Sequence, residues 1–418
     1  MQIGEPGGRW GFVDWGCEHN TVCIVDERGK ALVEAELEHT PEGLAELVSR
    51  LTEACGGEQS RIQVGIEVPH GPVVDALLDA GFALFTLNPK QIDRFRDRYS
   101  PAGAKDDRRD SFVGANALRT DPAAFHRIEP NAPAVVELRE WSRIDHELGV
   151  DLVAQANRLR AQVLRVAPHW LKLCPAANEP WFWSMLELAA TPAAAAHLDK
   201  AQVTEMLRRH RIRRISAEQL LSVWKQACAG TPEGVLAAVS AHVSVLLEAL
   251  RLRHRQREQA TAQLARCLEA CKAALPAAAE GANLVDIALS QPGIGIRVAS
   301  CLIGEAGRYL RDRNLTSFRA HTGISPVTHQ SGKTRLVYMR RACHGSLRDA
   351  CYHWARIAAI CDPRAKAHYT ALKRKGHSHA RALRGVAERL AERLFVMLDR
   401  GTLYDPNYRR VPTGQIQA

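Results

Sequence analysis

The chain has 418 residues, with 56 Lys+Arg against 46 Asp+Glu, a formal net charge of +10. Hydrophobic residues are 46% and charged residues 24%, a globular balance that excludes a wholly disordered or collagenous chain. The length predicts two or three domains, and the basic excess makes a polyanion a natural partner. Eleven cysteines form no C-x-x-C pair, the nearest two being Cys267 and Cys271. That is neither a zinc ribbon nor a disulfide framework. Met1 to Gly11 lacks the apolar core of a leader. The most apolar stretch, Gly234 to Leu250, is broken by Ser240, His242, Ser244 and Glu248. No uninterrupted apolar run reaches the ~18 residues of a membrane span. The expectation is a soluble, reduced, cytoplasmic protein with no membrane partner.

In chain order, Trp10 to Asp14 reads as a short strand ending in an acid, and Thr21 to Asp26 as a second. Asp26-Glu27-Arg28-Gly29 is a turn signal, and Ala31 to Leu37 is the returning strand. Thr40 can N-cap a helix with Pro41 in its first turn, ending near Gly56-Gly57. Ile62 to Val68 reads as a buried strand, Pro72 to Asp79 as a helix, and Ala83 to Leu87 as a strand. A three-strand meander followed by alternating elements predicts an α/β domain with a mixed sheet.

Acids punctuate this domain. Asp14 ends the first strand and Glu67 the fourth. Asp106, Asp107 and Asp110 open a helix running to Leu118. Asp107 and Asp110 are three residues apart and share a helix face, and Asp106 and Asp110 are also neighbours. Each acid alone can be a strand end or a first-turn residue. Together they can converge at one sheet edge, where grouped carboxylates need cations. Hard oxygen ligands suit Mg²⁺. Two such ions about 3.5–4 Å apart stabilise the attacking and leaving oxygens of a phosphodiester displacement.

From about Asn131 helical spacing takes over. Leu236, Val239, Val243, Leu246 and Leu250 follow 3,4 spacing, resumed at Ala260, Leu264, Cys267 and Cys271. Arg253 and Arg257 lie on the same seam. The pattern predicts a coiled-coil pairing, within or between chains, or an ordinary amphipathic helix. Asp286 to Glu305 reads as a helix-hairpin-helix. Gly293 and Gly295 would expose backbone N–H groups to a nucleic-acid phosphate.

Arg308 to Arg348 carries nine Lys or Arg against Asp312 alone, and Arg356 to Arg384 eight against Asp362 alone. Positive charge is therefore focused on the last third, including Lys333, Arg335, Arg340 and Arg341. A phosphate backbone is its natural counterpart. Two further basic clusters are Arg208 to Arg214 and Arg251 to Arg257.

Asp14, Glu67, Asp107 and Asp110 on this meander resemble a RuvC-like, ribonuclease-H-like domain with a DEDD acid set. Gln291-Pro292-Gly293-Ile294-Gly295, Phe318 to Pro326, and Gln330-Ser331-Gly332-Lys333-Thr334-Arg335-Leu336 resemble the C-terminal domain of the same proteins. Together they resemble the DEDD insertion-sequence transposases, serine-dependent recombinases guided by a bridge RNA. The resemblance is weakest between about Trp141 and Arg255 and after Arg400. It implies donor and target DNA and a structured bridge RNA as partners, and a homodimer assembling to a tetramer. It implies Mg²⁺ on Asp14, Glu67, Asp107 and Asp110. It also implies a nucleophilic serine ahead of Gly-Lys, here Ser331, with Ser325 the competitor.

The expected organisation is 1–130, the RuvC-like domain; 131–275, a helical and coiled-coil region; 276–400, a mostly α-helical transposase domain; and 401–418, a tail. Two readings compete with an RNA-guided recombinase. One is a RuvC-like Mg²⁺-dependent nuclease or junction resolvase without a covalent intermediate. The other is a non-catalytic nucleic-acid-binding protein.

Overall fold

The computed structural model describes residues 8–87, 89–99, 106–129, 132–226, 231–275, 282–332 and 334–407. The chain divides into two compact units, Met1–Asn131 and Ala132–Ala418.

The first unit is built on strands β1 (Arg9–Trp15), β2 (His19–Val25), β3 (Ala31–Glu38), β4 (Ile62–Ile66), β5 (Ala83–Thr86) and β6 (His126–Ile128). Its helices are α1 (Pro41–Ala54), α2 (Pro72–Asp79), α3 (Pro89–Arg96) and α4 (Asp107–Thr120). The sheet order is β3-β2-β1-β4-β5-β6. β1, β2 and β3 pair antiparallel, β4 and β5 run parallel to β1, and β6 is antiparallel to β5. This is the mixed RuvC-like sheet that the sequence predicts. α1 starts as expected, with the Thr40 side chain accepting from Gly43 N at 3.1 Å and Pro41 in the first turn.

Two glycines set how closely α4 lies on this sheet. A Cβ on Gly114 of α4 would meet the Phe12 ring at 2.4 Å, and one on Gly65 of β4 would meet it at 2.5 Å. The Phe12 ring therefore fills space that only glycines leave. The direction of α4 is fixed at its other end, where Arg119 Nη1 donates to Glu27 O at 3.1 Å in the β2–β3 turn. α4 thus runs antiparallel to β1, and its first turn lies at the edge where β1 and β4 end.

The second unit is helical: α5 (Pro133–Val166), α6 (Pro180–Leu188), α7 (Pro192–Ala196), α8 (Lys200–Arg209), α9 (Ala217–Trp224), α10 (Glu233–Ala274), α11 (Leu284–Ser290), α12 (Ile296–Arg311) and α13 (Leu315–His321), followed by α14 (Gly345–Cys361), α15 (Pro363–Arg374) and α16 (His379–Arg400). α5 and α10 pack antiparallel. The start of α5 (Val135, Leu138) shares a core with the end of α10 (Leu264, Cys267, Cys271), while Leu159 and Val163 share one with Val243 and Leu246. The first core continues through Leu302, Phe318 and Phe395, so helices on both sides of residue 275 contribute to it. The arginines interrupting the seam reach α5: Arg253 pairs with Asp151 at 3.3 Å, and Arg257 with the buried Asp145 at 3.2 Å. The polar break in the apolar pattern is thus a set of ion pairs within the chain.

Among the described residues α10 is, by length and composition, long and apolar enough to cross a membrane. Val239, Val243, Leu246, Leu247 and Leu250 of that stretch are packed in a protein core.

One element of the second unit departs from the sequence expectation. Val327–Ser331 (β7) and Thr334–Tyr338 (β8) form an antiparallel two-stranded hairpin in the otherwise helical last third. Its first strand, Val-Thr-His-Gln-Ser, carries no apolar alternation. The signal lies in the turn, because a two-residue connection containing glycine suits a tight hairpin. Gly332 has φ +55°, the left-handed backbone such turns require.

Candidate active site

The last parallel pairing between β1 and β4 is Val13 with Ile66. One residue further, Asp14 and Glu67 occupy adjacent positions where the two strands end. Side chains alternate along a strand, so Asp14 lies on the same face as Phe12, while Glu67 directly follows the last residue of β4. The Phe12 face is the one covered by α4. Asp107 and Asp110 precede Gly114 by seven and four residues, on the same side of α4. The structure therefore brings Asp14, Glu67 and the first turn of α4 to one edge of the sheet. Asp14 and Glu67 are half-buried, Asp107 is exposed, and Asp110 is buried.

The acids differ in what they hold. Asp106 caps α4, its Oδ1 accepting from Arg108 N at 3.3 Å. Asp110 is engaged by a cation from α3: Arg96 Nε donates to its Oδ1 at 2.6 Å, and Nη2 to its Oδ2 at 2.7 Å. Hydrogen bonding to Asp110 raises the Arg96 pKa further above its ordinary value. The donor chemistry suits Mg²⁺, but the arrangement does not close around an ion. Among the described residues no group of three or more His, Cys, Asp or Glu is placed to hold a metal. Arg96 has no sequence signal. It lies fourteen residues before Asp110 in an arginine-rich helix and matches no motif.

Ser331 ends β7 at the tip of the hairpin, exposed, paired in register with Thr334 and followed by Gly332. Lys333 lies outside the described residues. By strand alternation Ser331 shares a face with His329, Leu336 and Tyr338, and the His329 and Tyr338 rings meet edge-on at 5.5 Å. Arg335 is exposed opposite Gln330. Arg340 and Arg341 follow the hairpin; Arg341 is exposed, and Arg340 Nε donates to Ser325 O at 3.4 Å. Ser325 sits at the hairpin base, its N–H donating to Arg319 O at 3.2 Å. Of the two serines, Ser331 is presented at a tip and Ser325 is held in a turn.

The helix-hairpin-helix consists of α11 and α12 joined by Gln291 to Gly295. Its two glycines do different work. Gly293 has φ +88°, and a Cβ there would meet Trp354 O at 2.7 Å and Ala358 N at 2.8 Å. It lets the loop pack on α14, where Trp354 Nε1 donates to Pro292 O at 3.1 Å. Gly295, at the start of α12, has nothing within 4 Å of its added Cβ. Of the pair, Gly295 leaves open backbone.

Two family models match this chain. One, described as a transposase, covers residues 13–168, and one described as the IS116/IS110/IS902 transposase family covers residues 285–370. Over these two segments the chain is similar to the DEDD transposases of the IS110/IS116/IS902 family.

Similar proteins agree. The y4uE protein of Sinorhizobium fredii, a transposase by name, is 45% identical over 206 residues, 49% of this chain and 57% of that protein. That match spans little over half of the relative's own length. The IS117 mini-circle protein of Streptomyces coelicolor is 28% identical over 97% of both chains. The 43.6 kDa protein of insertion element IS110 from the same organism is 26% identical over 80% of each.

Proposed function

We propose that this protein is a site-specific DNA recombinase that cleaves and rejoins donor and target DNA, guided by a structured bridge RNA. Asp14, Glu67, Asp107 and Asp110 are the proposed acid set, and Ser331 the nucleophile. The observation that carries the reading is the convergence of these acids on one sheet edge in a chain similar to DEDD transposases over two segments. The presentation of Ser331 at an exposed hairpin tip supports its role.

In this reading Ser331 Oγ attacks the scissile phosphorus, and its proton ends on the departing oxygen. A phosphoserine ester forms as the strand's P–O bond breaks, releasing a free hydroxyl end. Attack on that ester by the hydroxyl of another strand rejoins DNA and returns the serine, so no external energy source is needed. Arg335, Arg340, Arg341 and Lys333 offset charge on the phosphate. Gly295 gives backbone access to DNA, and Gly293 fixes the loop that presents it. Mg²⁺ is the proposed ion for the acidic edge, and its binding by all four acids requires the Arg96–Asp110 pair to open. The long α5–α10 helices are proposed to pair subunits as a homodimer that assembles to a tetramer in the cytoplasm.

One observation favours a second reading. Arg96 already neutralises Asp110, as it would in a non-catalytic nucleic-acid-binding protein. Such a protein yields no divalent-ion-dependent DNA product. The guided part is tested by sequencing RNA that copurifies with the full chain. A single structured RNA encoded beside the gene is expected, and a random mixture of cellular fragments contradicts guidance.

A further inference from the structure

Residues 169–284 fall between the two family matches. Much of this interval is a helical module built from α6 to α9 and the first half of α10, packed with the end of α5 around one core. Trp170, Trp183 and Trp224 are fully buried in it, and Trp181 is 2% exposed. Trp183 Nε1 donates to Ala177 O at 2.9 Å, and Trp224 Nε1 to Ala189 O at 3.1 Å. These buried rings form the centre of the module's core.

Two arginine clusters lie on or beside it, and they look alike in sequence. The one from Arg251 to Arg257 is largely consumed internally: Arg251 binds Glu187, Arg253 binds Asp151, and Arg257 binds Asp145. The one from Arg208 to Arg214 faces outward. Arg208 and Arg209 share the single carboxylate of Glu205 at 2.7 and 2.9 Å. Arg214 reaches Glu179 at 2.9 Å and lies over the Trp181 ring at 5.4 Å. Arg211 and Arg213 are exposed and have no ion-pair partner among the described residues. Two carboxylates against five guanidinium groups leave three positive charges in excess on one turn.

The backbone there is unusual. Arg211 has φ +54°, a region that residues other than glycine rarely adopt. It follows the end of α8, held by Arg211 N donating to Arg208 O at 3.0 Å and Ile212 N to Leu207 O at 2.9 Å. Glycine would relax this position, yet an arginine stands there. Ile212 anchors the turn against the module core, so the guanidinium groups are mounted on a fixed support.

We propose that the Arg208–Arg214 turn is a DNA-backbone grip. Charge complementarity selects a polyphosphate. The turn offers no exposed aromatic ring to stack on unpaired bases, since Trp181 is buried beneath Arg214, and this favours a duplex read through its backbone. That the duplex is DNA rests on the recombinase reading proposed above.

The test is binding of a 40-base-pair random-sequence DNA duplex to the full chain carrying Ser331→Ala, measured over a salt series. The parent already lacks the Ser331 hydroxyl, so failure of the grip and failure of the proposed nucleophile are distinguishable. Arg211→Gln/Arg213→Gln is expected to weaken binding about tenfold at low salt. It should also lower the slope of log K against log salt by about 2, one for each phosphate that is no longer neutralised. Unchanged melting of the variant shows that the module still folds. Arg253→Gln, from the consumed cluster, should leave the slope unaltered. Equal slopes for the double variant and its parent overturn the proposal. So does loss of duplex RNA binding with DNA binding intact, which would assign the turn to RNA.

Discussion

Arg96 grips Asp110 with two hydrogen bonds, Nε to Oδ1 at 2.6 Å and Nη2 to Oδ2 at 2.7 Å, and the two side chains are 13% and 7% exposed. A pair this buried is held by mutual need, since removing one partner leaves the other charge without compensation. Arg96→Ala should therefore lower the unfolding free energy by about 3 kcal/mol in divalent-free buffer. The same variant leaves Asp110 open to a cation, so millimolar Mn²⁺ should restore much of the loss. Urea melts with and without Mn²⁺ check both parts. Unaltered stability in the metal-free melt would show that the pair contributes nothing.

Gly114 sets the distance between α4 and the sheet, and with it the position of Asp107 and Asp110. A methyl group there collides with the Phe12 ring at 2.4 Å. Gly114→Ala should cost about 1–3 kcal/mol through overpacking. Adding Phe12→Leu should recover part of that, because the two changes share one space. Strict additivity in a double-mutant cycle contradicts the contact.

The two hairpin glycines should separate cleanly. Gly293→Ala puts a side chain into the α14 backbone at a φ of +88°. It should destabilise the second unit by more than about 2 kcal/mol, because backbone strain adds to overpacking. Gly295→Ala, with φ −104° and open space, should melt within about 0.5 kcal/mol of the parent. Its effect, if Gly295 meets DNA, should appear in binding alone. Thermal melts and duplex titrations on both variants distinguish these outcomes.

His344 carries a pH signature. Burial lowers its pKa below the ordinary 6.5, outweighing the pull of Glu305 3.6 Å away. The unfolded chain then takes up a proton at a higher pH than the folded one. The stability tied to a neutral His344 is complete above the unfolded pKa and is lost as pH falls through the folded value. His210, His353 and His368 are shifted the same way, also by burial. Unfolding free energy should fall as pH drops below the ordinary histidine value of 6.5, and His344→Gln should flatten part of that fall. A slope unchanged by the substitution would exclude His344 as a contributor.

Much of the first unit is legible in the sequence because its signals are local. β-branched runs mark the strands, Thr40-Pro41 marks a helix start, and acids mark strand ends. The Arg96–Asp110 pair is not legible, because it joins two helices through tertiary packing and neither residue's neighbours announce the other. The hairpin escapes a reading of apolar pattern because both of its faces are exposed, so no burial imposes an alternation on β7. Gly293 and Gly295 read alike in sequence, and only the packing of α14 tells them apart. The two arginine clusters are likewise equivalent until their partners on α5, α6 and α8 are known. The helical middle shows its seam but not its internal ion pairs, because Asp145 and Asp151 are about a hundred residues from their arginines.

The central claim, a serine recombinase, is tested most directly by trapping protein on DNA. The full chain, its copurified RNA and Mg²⁺ are incubated with end-labelled DNA spanning the element's ends, quenched with SDS and resolved on a denaturing gel. The account predicts a labelled adduct of protein mass that is lost in Ser331→Ala and kept in Ser325→Ala. An adduct that persists in Ser331→Ala, or cut DNA ends with no adduct in the parent protein, would contradict it.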